Sequence, residues 1–96
     1  MQYLVLTSLD AVASSEIVNV GLEAEYQRVR QLYSADVLRQ IWRREDRRGA
    51  VLIFEAATEA EVASYLESLP LAKVGAVKVD NLIPLGAHAA LLTNSN

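Results

Sequence analysis

The chain has 96 residues, 52% of them apolar, with a net charge of −3, one histidine and no cysteine. That is one domain with enough apolar surface for a core, and it excludes disulfides, thiolate catalysis, iron–sulfur clusters and Cys-type zinc sites. One histidine does not make a His-rich metal site, and the mild acidity points away from nucleic acid as a partner. No apolar run approaches the roughly 18 residues of a membrane span. The start, Met1-Gln2-Tyr3-Leu4-Val5-Leu6, lacks the basic and long apolar stretches of a signal peptide. The expectation is a soluble cytoplasmic protein, with no membrane partner, of a size at which self-association is common.

Residues 2–9, rich in Tyr, Leu, Val and Thr, predict a first strand. A loop over 10–14 follows, with Ser14 and Ser15 as helix N-cap candidates and Glu16 suited to the positive end of the helix dipole. From residue 15 to about 33, Val18, Leu22, Val29, Leu32 and Tyr33 form one stripe at helical spacing. Gly21 is a soft spot in that helix, costing roughly 1 kcal/mol against Ala. Ser34, Ala35 and Asp36 end it. Residues 37–44 predict a second strand, with Leu38, Gln40 and Trp42 on one face and Val37, Arg39, Ile41 and Arg43 on the other. The loop Glu45-Asp46-Arg47-Arg48-Gly49 makes a charged hairpin. Residues 50–56, nearly all apolar, predict a central strand covered on both faces.

Thr58 and Glu61 match a capping box, opening a helix to about residue 68 with Val62, Tyr65, Leu66 and Leu69 turned inward. Pro70 stops it, and 71–75 connect. Residues 76–83 alternate as a fourth strand. Val77, Val79 and Asn81 lie on one side, and Lys78, Asp80 and Leu82 on the other. Pro84 and Gly86 end that strand, and a small, apolar tail follows. The order β-α-β-β-α-β is the ferredoxin-like arrangement of the α+β class. Residues 1–96 form a single domain, with an extended tail from about 84. Two helices should cover one face of a four-stranded antiparallel sheet. The other face carries apolar and charged residues, too apolar to leave wet and too polar for a dry core, and pairing of two copies into a dimeric α+β barrel with a cavity inside would cover it.

Glu25 is the most informative residue for chemistry. At helical spacing it falls about 20° from Val18, inside the apolar stripe. A carboxylate there is partly desolvated or points into a cavity at the sheet edge, expected inside the chamber between paired subunits, and burial raises its pKa toward the range of a general base. The alternative is a Glu that snorkels to the surface or pairs with Arg28 one turn on. Arg39, Arg43, Arg44, Arg47 and Arg48 crowd the second strand and its hairpin. Arg39 and Arg43, on one strand face, could clamp an organic carboxylate, whereas Arg47 and Arg48 fit a solvated hairpin salt-bridged with Glu45 and Asp46. Trp42 fits a pocket or subunit interface as well as a core. Tyr3, Tyr26, Tyr33 and Tyr65 are core or rim residues, and Tyr26, beside Glu25, joins Arg39, Trp42 and Arg43 as a candidate substrate contact. Lys78 and Asp80 are barrel-facing polar groups or a cross-strand ion-pair set. His88 is a surface residue unless the tail folds over a neighbouring subunit. Phosphate loops and the GxGxxG, GxSxG and HExxH patterns are absent, and no metal ligands are proposed.

Three stretches resemble the muconolactone Δ-isomerase family. Leu38-Arg39-Gln40-Ile41-Trp42-Arg43 is similar to the family's aromatic-Arg-His-Leu-Trp-Arg strand, followed at matching distance by Ile53-Phe54-Glu55. Ser68-Leu69-Pro70-Leu71 resembles its Leu-Pro-Leu helix end, and Val79-Asp80-Asn81-Leu82 its last strand. The resemblance implies a ferredoxin-like dimeric barrel that assembles further, often to decamers. It implies a reaction without cofactor, in which a proton shifts within an unsaturated lactone, and in related members the loss of halide from chlorinated lactones. The family's helix acid falls on Glu25. Its helix lysine, strand histidine and tail Arg-His-Pro are replaced by Leu22, Gln40 and Pro84-Leu85-Gly86.

The expected function is a cofactor-independent isomerase of aromatic-compound catabolism. It acts on a small unsaturated lactone or related acid as a homodimer or higher oligomer. Glu25 takes a proton next to the carbonyl and returns it elsewhere, while Arg39 holds the carboxylate or the dienolate charge. The alternatives are a non-catalytic small-molecule-binding or assembly module on the same barrel, and a cofactor-free oxygenase-like barrel.

Overall fold

The computed structural model describes residues 1–10 and 15–92. Residues 11–14 of the expected loop, with the Ser14 cap, lie outside the described residues. The elements run β1 (Gln2–Leu9), α1 (Ser15–Ser34), β2 (Leu38–Arg43), β3 (Ala50–Glu55), α2 (Glu59–Glu67), α3 (Pro70–Lys73) and β4 (Val77–Leu85). The strands form one antiparallel sheet in the order β2-β3-β1-β4. This is the ferredoxin-like α+β fold expected from the element order.

The core lies between the helices and one sheet face. Tyr3 and Val5 of β1 pair with Phe54 and Leu52 of β3. They bury against Leu32 of α1, Val62 and Leu66 of α2, and Leu69. Phe54 and Tyr65 stack with ring centroids 6.1 Å apart, an offset aromatic contact. α1 ends through Asp36 in the left-handed region, φ 62°. The Asp36 and Val37 amides there donate back to the carbonyls of Tyr33 and Leu32, both at 3.1 Å, which satisfies the last turn. Tyr33, expected on the inward stripe, is exposed in that last turn. At the start of α2 the Thr58 hydroxyl accepts from the Glu61 amide at 3.2 Å, and the Glu61 carboxylate accepts from the Ala57 amide at 3.0 Å. The capping box therefore reaches one residue further back than its usual form.

Three expectations change. Pro70 does not merely stop a helix; it stands at the first position of α3, where its missing N–H costs nothing. β4 runs on through Pro84 to Leu85, because β4 is an edge strand and tolerates proline. The simple alternation of β2 and β4 also fails, since each strand carries a bulge. In β2 the register shifts between Leu38 and Gln40. Leu38, Ile41 and Arg43 then face the helices opposite Phe54, Leu52 and Ala50, and Gln40 and Trp42 face away. In β4 the shift falls opposite Leu6 and Thr7 and leaves Asp80 unpaired. Val77, Val79 and Leu82 thus share the helix side, and Lys78, Asn81 and Ile83 the other.

β3 is central, but within one chain the helices cover one of its faces. The face away from them carries Leu4, Leu6, Trp42, Val51, Ile53 and Ile83, with Trp42 59% exposed. The N-terminal amine pairs with the Glu55 carboxylate and ties β1 to β3. Two glycines are there for close approach. A Cβ on Gly21 would lie 2.8 Å from Leu71 Cδ2, so α1 and α3 touch at that point. A Cβ on Gly49, at φ 154°, would lie 2.1 Å from the Thr7 carbonyl oxygen, so the hairpin presses on β1.

Candidate functional site

Between α1 and the helix-facing side of the sheet lies an open cleft of about 760 Å³, within the range of small-molecule sites. Its walls are largely apolar: Leu22 and Val29 from α1, Ile41 and Leu52 from the sheet, and Leu69 and Leu71 from the α2–α3 corner. Thr7 on the floor is buried, and its hydroxyl pairs with the Ala50 amide at 3.1 Å and carbonyl at 3.4 Å. The cleft is formed within a single chain. The helices lie on one side of the sheet and the expected barrel interior on the other, so Glu25 faces an intrachain cleft and not the space between paired sheets.

Glu25 lines this cleft and is half-buried. Its Oε1 accepts a hydrogen bond from the Leu71 amide at 2.9 Å. That amide is one of the unpaired donors at the start of α3, whose N-cap residue Leu69 makes no side-chain cap. The other carboxylate oxygen has no hydrogen-bond partner among the described residues. Arg28 does not pair with Glu25; its Nε donates to Ser68 Oγ at 2.9 Å and a terminal nitrogen to Gln31 at 3.1 Å. Burial pushes the Glu25 carboxyl up from its ordinary value of 4.5, and the Leu71 amide partly offsets the rise.

Arginines of the hairpin frame the mouth. Arg44, its side chain 12% exposed, donates from Nε and a terminal nitrogen to both Asp46 oxygens, at 2.9 and 2.7 Å. Its other terminal nitrogen reaches Asp80 and the Thr7 carbonyl, each at 3.1 Å. Asp80, freed by the β4 bulge, also accepts from Ser8 Oγ at 3.0 Å. The Arg44 hydrogen bond holds the Asp46 carboxyl below its ordinary range. Arg43 pairs with Glu45 at 2.9 Å.

Of the residues singled out from sequence, Glu25, Tyr26 and Arg43 line the cleft together. Arg39 and Trp42 are not among its lining residues. Arg39 is the residue skipped by the β2 register shift, which breaks the shared face expected for Arg39 and Arg43. Trp42 turns to the open sheet face. His88 accepts from the Ala90 amide at 3.1 Å and caps a short 3-10 turn in the exposed tail. Sequence reading placed Arg44 among the crowded arginines but gave no role of its own to Arg44 or to the Leu71 amide. The contacts of the first depend on the β4 bulge that frees Asp80, and the second is a backbone group that no side-chain pattern marks. Among the described residues no cluster of three acidic or histidine side chains could hold a metal, and no helix is long and apolar enough to cross a membrane.

The family model for muconolactone delta-isomerase matches residues 1–90. The chain therefore belongs to the muconolactone delta-isomerase family. Among solved structures it is similar to a muconolactone isomerase, with 15% identity and a TM-score of 0.77 over 100% of this chain and 99% of that one. It is also similar to 5-chloro-2-hydroxyhydroquinone dehydrochlorinase from Burkholderia phenoliruptrix AC1100, solved with 2,5-dihydroxybenzoquinone. That match has 20% identity and a TM-score of 0.70 over 94% and 97% of the two chains. At these identities the likeness is one of fold. A search of curated proteins finds no match.

The raised Glu25 pKa carries a stability consequence. A carboxyl that binds its proton more tightly in the folded than in the unfolded chain stabilises the fold fully below its unfolded pKa, and that contribution is lost as pH rises through the folded value. Glu25→Gln keeps an oxygen for the Leu71 amide and removes the charge. Its melting temperature at pH 7 should exceed the wild type's. The gap should close as the pH falls below 4.5. A variant less stable by the same amount at every pH would make the carboxylate a plain structural cap. Thermal unfolding followed by circular dichroism reads the difference.

Proposed function

We propose that the chain is a cofactor-independent isomerase that shifts a double bond in a small unsaturated lactone or related acid. The observation that carries this reading is the Glu25 carboxylate, half-buried in an apolar cleft, with one oxygen held by the Leu71 amide and the other unpaired among the described residues. The bound oxygen fixes the side chain, and the unpaired one is available to accept a proton. The γ-proton of an α,β-unsaturated lactone is acidic because the pair of electrons left behind spreads over the diene to the carbonyl oxygen. Glu25 takes that proton, and the charge rests on the dienolate. The same carboxyl, now protonated, returns the proton at the α-carbon, and the double bond has moved with atoms and electrons balanced.

A raised carboxyl pKa makes Glu25 a stronger base once ionised and a competent acid once protonated, so one group serves both half-reactions. Tyr26 and Arg43 line the same cleft, and we assign them to the substrate's oxygens, where a donor stabilises the developing dienolate. The open sheet face, with Trp42 at its edge strand, we assign to a second copy of the chain, as in a dimeric barrel. Membership of the family and the apolar character of that face support this.

Two measurements test the reading. Muconolactone incubated with the protein should lose its absorbance and give the isomeric enol-lactone. Glu25→Gln should lower kcat/KM by about 10²–10⁴-fold, the usual share of a general base; full activity in that variant would refute the mechanism. Sedimentation should give a dimer or larger species for the wild type and a smaller one for Trp42→Arg, and a monomeric wild type would remove the paired barrel.

A further inference from the structure

We propose that Arg48 is the anion-holding subsite of the cleft, the guanidinium that takes the carboxylate of an acidic lactone and so sets the ring toward Glu25. The inference rests on the lactone reading above and adds the residue that selects an acidic substrate.

The charge arrangement at the mouth singles Arg48 out. Arg43 is paired with Glu45, and Arg44 with both Asp46 and Asp80. Arg47 faces Asp46 at 3.7 Å. Arg48 is an exposed residue of the same cleft, and its guanidinium has no hydrogen-bond or ion-pair partner among the described residues. An anion binding at Arg43 or Arg44 displaces or competes with a carboxylate already there. At Arg48 it displaces water alone, so the net gain is larger.

An unpaired surface arginine is ordinary by itself, but this one is mounted on fixed backbone. Its carbonyl accepts from the Leu9 amide at 3.0 Å, and the next carbonyl, of Gly49, accepts from the Arg44 amide at 3.1 Å. Gly49 itself is pressed on the Thr7 carbonyl so closely that a Cβ would sit 2.1 Å from it. The Cα from which the side chain springs is thereby fixed at the cleft mouth, so an anion has only the side-chain torsions to order. The ionised Glu25 repels a second carboxylate. An acidic ligand therefore gains most when its charge stays at the mouth and its neutral ring enters the apolar part, which is the orientation that proton transfer at the ring requires.

The probes are muconolactone and its neutral methyl ester, titrated calorimetrically into the wild type, Arg48→Gln, Arg48→Lys and, as a paired-rim control, Arg47→Gln. Arg48→Gln should weaken the acid on the order of tenfold, the lower end for a charge-assisted hydrogen bond. Binding of the ester should stay within about twofold, as expected when an exposed charge has no partner in the ligand. Arg48→Lys should recover part of the loss, and Arg47→Gln should leave the acid close to wild type. In turnover the Arg48→Gln loss should fall on KM rather than kcat. Equal weakening of acid and ester, an equal effect at Arg47, or failure of both lactones to bind would overturn the subsite. Arg48-dependent preference for the acid without turnover would sink the isomerase reading and leave the subsite standing. Turnover with an unchanged KM in Arg48→Gln would do the reverse.

Discussion

The contact between the Leu71 amide and the Glu25 carboxylate joins the parts of this molecule that matter for chemistry. It brings together two elements distant in sequence, α1 and α3, and it places a charge at the wall of an apolar cleft. Each side of the contact has a local cause. Pro70 starts a new short helix directly after α2 and leaves the next amide without an intrahelical acceptor. Gly21, one turn before Glu25, lets α1 approach Leu71 to a distance that a methyl group would contest. Apolar neighbours then withhold water from the carboxylate, and its affinity for a proton rises.

The hairpin between β2 and β3 supplies the opposite electrostatic character. Its arginines ring the mouth of the cleft, and Asp80 is available to Arg44 because the β4 bulge takes it out of the ladder. Bulges commonly re-aim side chains in this way beside functional sites. The result is a polar, cation-rich mouth over an apolar interior with one acid, a division suited to a ligand with a charged end and a neutral ring.

Much of the fold was legible in the sequence because its signals are local and strong. The Thr58 and Glu61 cap, the apolar run of β3 and the inward stripe of α1 each predict their element without reference to the rest. Glu25 was legible for the same reason: a helical period fixes which face a residue shares, whatever the helix packs against. The faces of β2 and β4 were not, because a single skipped residue at Arg39 or Asp80 inverts the parity of everything beyond it. That is why Arg39 was grouped with Arg43 in sequence while the structure leaves it outside the cleft. The cleft's location was also missed. Alternation shows that two sheet faces are apolar, but it does not show that the space beside Glu25 opens within one chain.

A direct titration of the Glu25 side-chain carboxyl, by carbon-13 NMR of the selectively labelled wild-type protein, tests the claim at its centre. The expected result is a midpoint above the ordinary glutamate value of 4.5. A midpoint at or below that value would mean that water or the Leu71 amide outweighs burial, and the carboxylate would then be a solvated helix cap without the basicity that proton transfer from a lactone ring requires.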